Sequence, residues 1–90
     1  MNREQFPKQP ILKEKYLSKI DGDGYLKLSD CRSEFEGRQI KNIASLLDGS
    51  ENINLGEGLR CKGDSGNYPD MKIHIDDLES FISRIRNYYK

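Results

Sequence analysis

The sequence predicts one small α+β domain, because its apolar residues recur at helical spacing in some segments and at alternate positions in others. Clusters of glycine with aspartate, serine or asparagine separate these segments and mark turns. A chain of 90 residues buries roughly 60–65% of its unfolded surface, so most apolar side chains must join one core. We therefore treat residues 1–90 as a single domain.

The N-terminal part is predicted to be an arm followed by a helix. Pro7 and Pro10 keep residues 1–10 extended as a flexible arm, and Pro10 is well placed to open a helix that runs through Ile20. The apolar side of this helix would consist of Leu12, Tyr16 and Ile20. The Asp-Gly-Asp-Gly sequence of residues 21–24 then ends it.

A short strand and a short helix are predicted next. Residues 25–28 alternate between apolar and polar positions, and Ser29 is placed to cap the helix that follows. The inward positions of the strand are Leu26 and Leu28. Those of the helix are Cys31 and Phe35. Gly37 is expected to break this helix.

A second helix is predicted over residues 38–48, where the apolar spacing is that of one buried helix face. Its buried positions are Ile40, Ile43, Ala44 and Leu47. Gly49 occupies the expected C-cap position. In the polar connection of residues 50–58, Ile53 and Leu55 would form either a brief strand or an anchor between the loop and the core.

Residues 59–62 and 71–75 both alternate and predict the two strands of a hairpin. The connecting residues 63–70 are rich in turn formers and predict an exposed loop, or wing. One side of the hairpin carries Leu59, Cys61, Met71, Ile73 and Ile75. The other side carries Arg60, Lys62, Lys72 and His74.

The last predicted helix has the strongest pattern in the chain. Asp76 and Glu79 match a capping box. A continuous apolar stripe follows, made of Leu78, Phe81, Ile82, Ile85 and Tyr89. We expect this amphipathic C-terminal helix to pack on the inner face of the hairpin.

Composition limits the classes of function. The 15 basic and 15 acidic residues cancel, so the chain has no global positive field, although Lys and Arg concentrate near its two ends. Cys31 and Cys61 are too few and too far apart for a metal framework, and both fall at inward positions. No hydrophobic run is long enough for a signal peptide or a membrane span. We expect a cytoplasmic protein with reduced thiols and no membrane partner.

Two motifs imitate functional sites without fitting them. If Gly24 is aligned with the required glycine of a calcium-binding EF-hand loop, Lys19 takes the first ligand position, where its charge repels calcium. Residues 63–66 match a serine-protease loop by letter, but 90 residues cannot hold that double barrel. His74 is expected to be an ordinary strand residue. The sequence thus predicts no metal, no cofactor and no enzymatic activity.

The order strand, helix, glycine turn, helix, hairpin, helix is that of a winged helix-turn-helix domain. The tract Tyr25-Leu26-Lys27-Leu28-Ser29-Asp30 and the segment from Lys72-Ile73-His74-Ile75-Asp76-Asp77 to Ile82 resemble the start and end of excisionase-type winged-helix domains. The resemblance covers about two thirds of the chain, residues 25–82. It implies that residues 38–48 form a recognition helix for the DNA major groove and that the hairpin forms the wing.

Under this resemblance, the DNA-binding residues would lie on the second helix and the hairpin. Arg pairs bidentately with guanine, Gln and Asn pair with adenine, and Lys binds phosphate. The helix offers Arg38, Gln39, Lys41 and Asn42, and the hairpin offers Arg60, Lys62 and Lys72. The same side chains can also be read as solvated faces opposite a buried core.

Two functions follow from these patterns. The first is a small DNA-binding accessory or regulatory protein that binds double-stranded DNA. The second is a non-catalytic interaction module, such as an inhibitor or adaptor, that binds a single protein partner. Pairing of two C-terminal helices, in which Tyr88 projects away from the core stripe, would also allow a homodimer.

Overall fold

The computed structural model describes residues 12–90. Within this range, the α-helices are α1 (Leu12–Lys15), α2 (Ile40–Asp48) and α3 (Ile75–Tyr88). The strands are β1 (Tyr25–Lys27), β2 (Cys61–Lys62) and β3 (Lys72–His74). Three 3₁₀ segments complete the described part: Leu17–Lys19, Leu28–Phe35 and Ser65–Asp70. The predicted small α+β class is confirmed. The predicted arm of residues 1–10 and the opening of a helix at Pro10 lie outside the described residues.

The three strands form one antiparallel sheet in the order β1-β3-β2. The predicted hairpin is present, with Cys61 opposite Ile73 and Lys62 opposite Lys72. On its other edge β3 pairs with β1, where Leu26 lies opposite Ile73. Leu26 and Ile73 are both fully buried, so the central strand β3 contributes to the core together with its neighbour β1.

The core lies between the sheet, α2, α3 and the 3₁₀ segment Leu28–Phe35. The predicted apolar stripe of α2 is buried, and Leu46 joins it. That of α3 is buried except for Tyr89, which is half-buried and follows the last residue of the helix. Phe35 and Phe81 meet edge to face near the centre, with ring centroids 5.9 Å apart. None of the helices within residues 12–90 has the length and apolar character needed to cross a membrane.

Two predicted helices take a different form. The first breaks at Tyr16, whose φ of −110° and ψ of 15° are not helical, and a 3₁₀ turn follows. The second is the 3₁₀ segment Leu28–Phe35, which is kinked at Cys31 with φ −121°. Its serine, aspartate and cysteine residues are weak helix formers, and the tighter turn still buries Leu28, Cys31 and Phe35. The predicted Ser29 cap is wrong, since Lys27 occupies the N-cap position.

Helix α2 begins at Ile40, two residues later than predicted. Glu36 and Gly37 adopt left-handed conformations with φ of 54° and 83°, and Gln39 is extended as the N-cap. The chain therefore turns sharply before the helix can start. Gly49 is the left-handed C-cap, as predicted, with φ 80°.

The two connections flanking β2 are tied to α2. The loop after α2 forms no strand at Ile53 or Leu55; instead the N–H of Leu55 donates to the carbonyl of Leu46 at 2.8 Å. Residues 63–70 are largely exposed, as predicted, but they contain the 3₁₀ segment Ser65–Asp70 packed against α2. The N–H of Ser65 donates to Asp48 Oδ2 at 2.7 Å. The expected projecting wing is therefore a loop held to the end of the second helix.

The last helix starts two residues earlier than its predicted capping box allows. His74 is the N-cap, and its Nδ1 accepts a hydrogen bond from the N–H of Asp76 at 3.1 Å. Asp76 thus lies in the first turn of α3, where a carboxylate is favourable at the positive end of the helix. The predicted Asp76–Glu79 box is wrong because the imidazole takes the capping role.

Candidate nucleic-acid interface

The four helix residues predicted to bind DNA lie around the start of α2. Gln39, Lys41 and Asn42 are exposed, and Arg38 is half-buried. The apolar face of α2 is directed into the core, which leaves these polar side chains on the outer side. We call Arg38, Gln39, Lys41 and Asn42 the helix-start surface.

The helix-start surface is compatible with a negatively charged ligand. The first turn of α2 contains no acidic residue, and the Gln39 side chain makes no capping hydrogen bond. The carbonyl of Gln39 accepts the N–H groups of Asn42 and Ile43 at 3.0 and 3.1 Å. The first turn of α2 therefore carries the positive end of the helix dipole and the charge of Lys41 without a nearby acid from the same turn.

Acidic residues near α2 are engaged by other groups. Glu36 pairs with Arg86 at 3.4 Å. Asp48 accepts from the hydroxyl of Ser50 at 2.7 Å and from the N–H of Ser65. Burial alone would raise the pKa of Asp48, but the hydrogen bonds from the two serines outweigh it and lower that pKa. Asp48 is thus tied into the fold by several hydrogen bonds, whereas Glu36 forms an exposed ion pair.

Glu34 anchors the N-terminal segment to the 3₁₀ segment Leu28–Phe35. Its Oε2 accepts from Tyr16 Oη at 2.6 Å and from Lys15 Nζ at 2.7 Å. Burial opposes ionisation, yet these two hydrogen bonds set the pKa of Glu34 below its ordinary value. Like the acids beside α2, Glu34 has a structural partner.

The basic residues of the hairpin, which we call the hairpin cations (Arg60, Lys62 and Lys72), are neutralised by neighbouring aspartates. Arg60 forms a bidentate pair with Asp77, at 2.9 and 3.2 Å. Lys62 lies 3.1 Å from Asp23, and Lys72 lies 3.0 Å from Asp21. The structure thus brings each of the three cations together with an aspartate. Sequence reasoning missed the pairs of Lys62 and Lys72 because residues 21–24 were interpreted as turn formers only.

Asp21 joins the turn before β1 to one of the hairpin cations. Its Oδ1 accepts the N–H groups of Asp23 and Tyr25 at 2.9 and 3.0 Å, while Oδ2 pairs with Lys72. The hydrogen bond from the Tyr25 N–H, aided by the one from Lys72, lowers the pKa of Asp21 to about 2. A sequence signal existed, since aspartate in a turn often binds the N–H two residues on.

The Asp21 carboxylate predicts a specific loss of stability in acid. Because its folded pKa lies below the value near 3.9 of unfolded chains, Asp21 stabilises the fold above that value, and this contribution disappears as pH falls through about 2. We expect Asp21→Asn to lower the urea midpoint at neutral pH and to converge with wild type near the folded pKa. Urea titrations over pH measure this difference, with Glu51→Gln as a control for loss of one exposed charge. A constant difference at every pH would contradict it.

The histidine and the two cysteines are packed against other parts of the fold. His74 meets the Tyr25 ring edge to face, with centroids 5.0 Å apart. Cys31 is fully buried, and burial raises the pKa of its thiol to about 12. Burial also raises the pKa of Cys61. Within residues 12–90, no three potential ligands gather as a metal site.

Comparisons with known proteins found no matching family model, no similar curated protein and no similar solved structure. The helix-start surface therefore has to be judged by the chemistry of its own residues. That chemistry is hydrogen bonding and single positive charges on an exposed helix end.

Proposed function

We propose that this protein is a small non-enzymatic DNA-binding protein, of the accessory or regulatory kind, that presents the start of α2 to double-stranded DNA. The helix-start surface carries the proposal. It combines the residue types that bind guanine, adenine and phosphate on one helix end that has no acid in its first turn.

The order of elements supports the same proposal. The chain runs β1, a 3₁₀ segment, a left-handed turn, α2, the hairpin and α3, the order expected of a winged helix-turn-helix. The 3₁₀ segment packs against α2, as a supporting helix would. In such domains the N-terminal residues of the second helix contact base edges.

The paired hairpin cations alter how this binding would work. A cation already held by a carboxylate contributes less to phosphate binding, so α2 must supply most of the contacts. With roughly two phosphates neutralised, affinity should fall about tenfold between about 50 and 200 mM salt. This slope is shallower than that of strongly basic DNA-binding domains.

Lys41→Ala tests the proposal directly. We expect weaker binding of a short mixed-sequence duplex at low salt, by up to roughly tenfold, and a salt slope that is smaller by about one phosphate contact. Fluorescence anisotropy at several salt concentrations measures both quantities. Lys41 is exposed, so the melting temperature should not change.

Lys19→Ala is the matched control, since Lys19 is an exposed lysine on a different element. It should leave both the affinity and the salt slope unchanged. Equal binding by wild type, Lys41→Ala and Lys19→Ala would contradict the proposed role of α2. Absence of binding by wild type at low salt would contradict DNA binding altogether.

The paired hairpin cations also favour a second candidate, a non-catalytic module that binds one protein partner. Neutralised charges and zero net charge suit a protein interface, and aromatic residues are enriched in such interfaces. Among residues 12–90, the exposed large apolar side chains are Leu17, Ile53, Tyr68 and Tyr88. For this candidate the duplex titration should be silent at low salt. A concentration series in sedimentation would detect a homodimer as one form of it.

A further inference from the structure

The Arg38 side chain stacks on an aromatic ring from the other end of the described chain. Arg38 lies just before α2, and Tyr89 follows the last residue of α3. The Cζ atom of Arg38 is 3.8 Å from the centroid of the Tyr89 ring. This separation is well inside the range of a cation–π contact.

Tyr89 is itself held in place. Its ring meets that of Tyr88 edge to face, with centroids 4.9 Å apart, and it packs against the core. Its N–H donates to the carbonyl of Ile85 at 3.0 Å. The ion pair of Arg86 with Glu36 joins the same two segments. The stacking ring is therefore part of a braced junction between α3 and the turn before α2.

Stacking fixes a guanidinium without using its hydrogen bonds. The 3.8 Å separation suits contact of the ring with the flat face of the group, and such contact leaves free the five N–H donors, which lie in the guanidinium plane. Within residues 12–90, no carboxylate pairs with Arg38, in contrast to Arg60, which is held by Asp77. Arg38 thus combines a restrained position with donors that suit a pair of acceptor atoms.

We propose that Tyr89 is a positioning residue that pre-organises Arg38 to bind a planar pair of acceptors on DNA. This inference rests on the proposed function of the helix-start surface and adds a role for the end of α3. The acceptor pair is either the O6 and N7 atoms of guanine or two phosphate oxygens, since both match the guanidinium edge. Restricting the side chain before binding reduces the entropy lost on association.

A set of variants separates positioning from direct contact. Tyr89→Leu removes the ring, Tyr89→Phe keeps it, and Arg38→Ala removes the guanidinium. Tyr68→Leu is the matched control, because it changes an exposed tyrosine on a different segment. Duplex affinity at low salt is measured for each variant and for the double variant Arg38→Ala with Tyr89→Leu.

We expect Tyr89→Leu to weaken duplex binding roughly two- to fivefold, the range of an exposed cation–π contact. Tyr89→Phe and Tyr68→Leu should bind like wild type. The double variant should be no weaker than Arg38→Ala alone, because Tyr89 acts through Arg38. Wild-type affinity in Tyr89→Leu, together with a loss in Arg38→Ala, would overturn the positioning role and leave the proposed function intact.

A modified duplex identifies the acceptor. Replacing guanine by 7-deazaguanine removes N7 without changing the phosphates. If Arg38 binds guanine, wild type should lose affinity on this duplex and Arg38→Ala should not; if it binds phosphate, both should bind the two duplexes alike. Unchanged binding by Arg38→Ala on the unmodified duplex would overturn the inference for either acceptor.

A measurement on the protein alone tests pre-organisation separately from DNA binding. Stacking on Tyr89 should shift the Arg38 Hδ and Nε–H resonances upfield through the ring current. The shift should persist in Tyr89→Phe and vanish in Tyr89→Leu. Arg38 resonances at random-coil positions in wild type would overturn the inference whatever the DNA titration gives. If the shift is present but no duplex binds, the proposed function fails and the DNA-reading role of Arg38 fails with it.

Discussion

Gly56→Ala is expected to lower the free energy of unfolding by about 2–4 kcal/mol, a large effect for one added methyl group. A Cβ at Gly56 would lie 2.1 Å from the carbonyl oxygen of Leu47 and 2.6 Å from its Cδ1 atom. The first of these is a backbone atom of α2, which cannot rotate away as a side chain can. Either the loop or the end of α2 must therefore move.

The loop around Gly56 is fastened on both sides, so movement carries a cost. The carbonyls of Leu55 and Glu57 both accept from Arg84 Nη1, at 2.9 and 2.8 Å. The N–H of Leu55 donates to Leu46 of α2. Shifting Gly56 enough to admit a methyl group would break some of these hydrogen bonds.

Urea unfolding followed by circular dichroism measures the change. Gly22→Ala is the matched control, since a Cβ there meets no atom within 4 Å. This control should be close to neutral or slightly stabilising, because alanine restricts the unfolded chain. Equal midpoints for Gly56→Ala and Gly22→Ala would show that the loop does not approach α2 as described.

Phe81→Ala is expected to remove about 3–5 kcal/mol, the usual result of emptying a large core site. Phe81 is fully buried, and its ring meets that of Phe35. A domain of this size has a total stability of roughly 5–13 kcal/mol. The substitution should therefore remove a large share of that stability and lower the melting temperature by roughly 12–40 °C.

The loss should scale with the volume removed. Phe81→Leu keeps most of the apolar volume and should cost clearly less than Phe81→Ala. Tyr88→Ala, at an exposed position on the same helix, serves as the control and should change the melting temperature little. If Phe81→Ala melted like wild type, the described core would be wrong.

The sequence predicted those parts of the fold in which apolar residues recur at a regular local spacing. Helices α2 and α3 have apolar stripes of several turns, and the alternating segments around β2 and β3 gave the hairpin. The pairing of β1 with β3 could not be read in this way, because it joins residues far apart in the chain. The 3₁₀ form of Leu28–Phe35 was hidden too, since the spacing of Cys31 and Phe35 is that of an α-helix and the kink at Cys31 has no local signal.

The residues of the candidate site could be predicted from the sequence, but the groups that pair with their charges could not. Lys41 and Asn42 were recognised from their places opposite the buried stripe, and they are exposed. The pairing of Lys62 and Lys72 with aspartates depends on the fold of the sheet. The contact of Arg38 with Tyr89 depends on how α3 ends beside the turn before α2. Both are long-range contacts, for which the sequence has no short-range signal.

The central place of β3 in the sheet has a consequence for how the chain folds. β1 and β2 do not pair with each other; both pair with β3, which follows them in the chain. The contact of Lys72 in β3 with Asp21 joins residues that are 51 positions apart. During synthesis neither earlier strand has its partner until Lys72–His74 emerges. Folding is slowed because the entropy of closing this long loop is lost before the strand contacts that compensate for it can form. Sheet and α3 should then form together in one cooperative step.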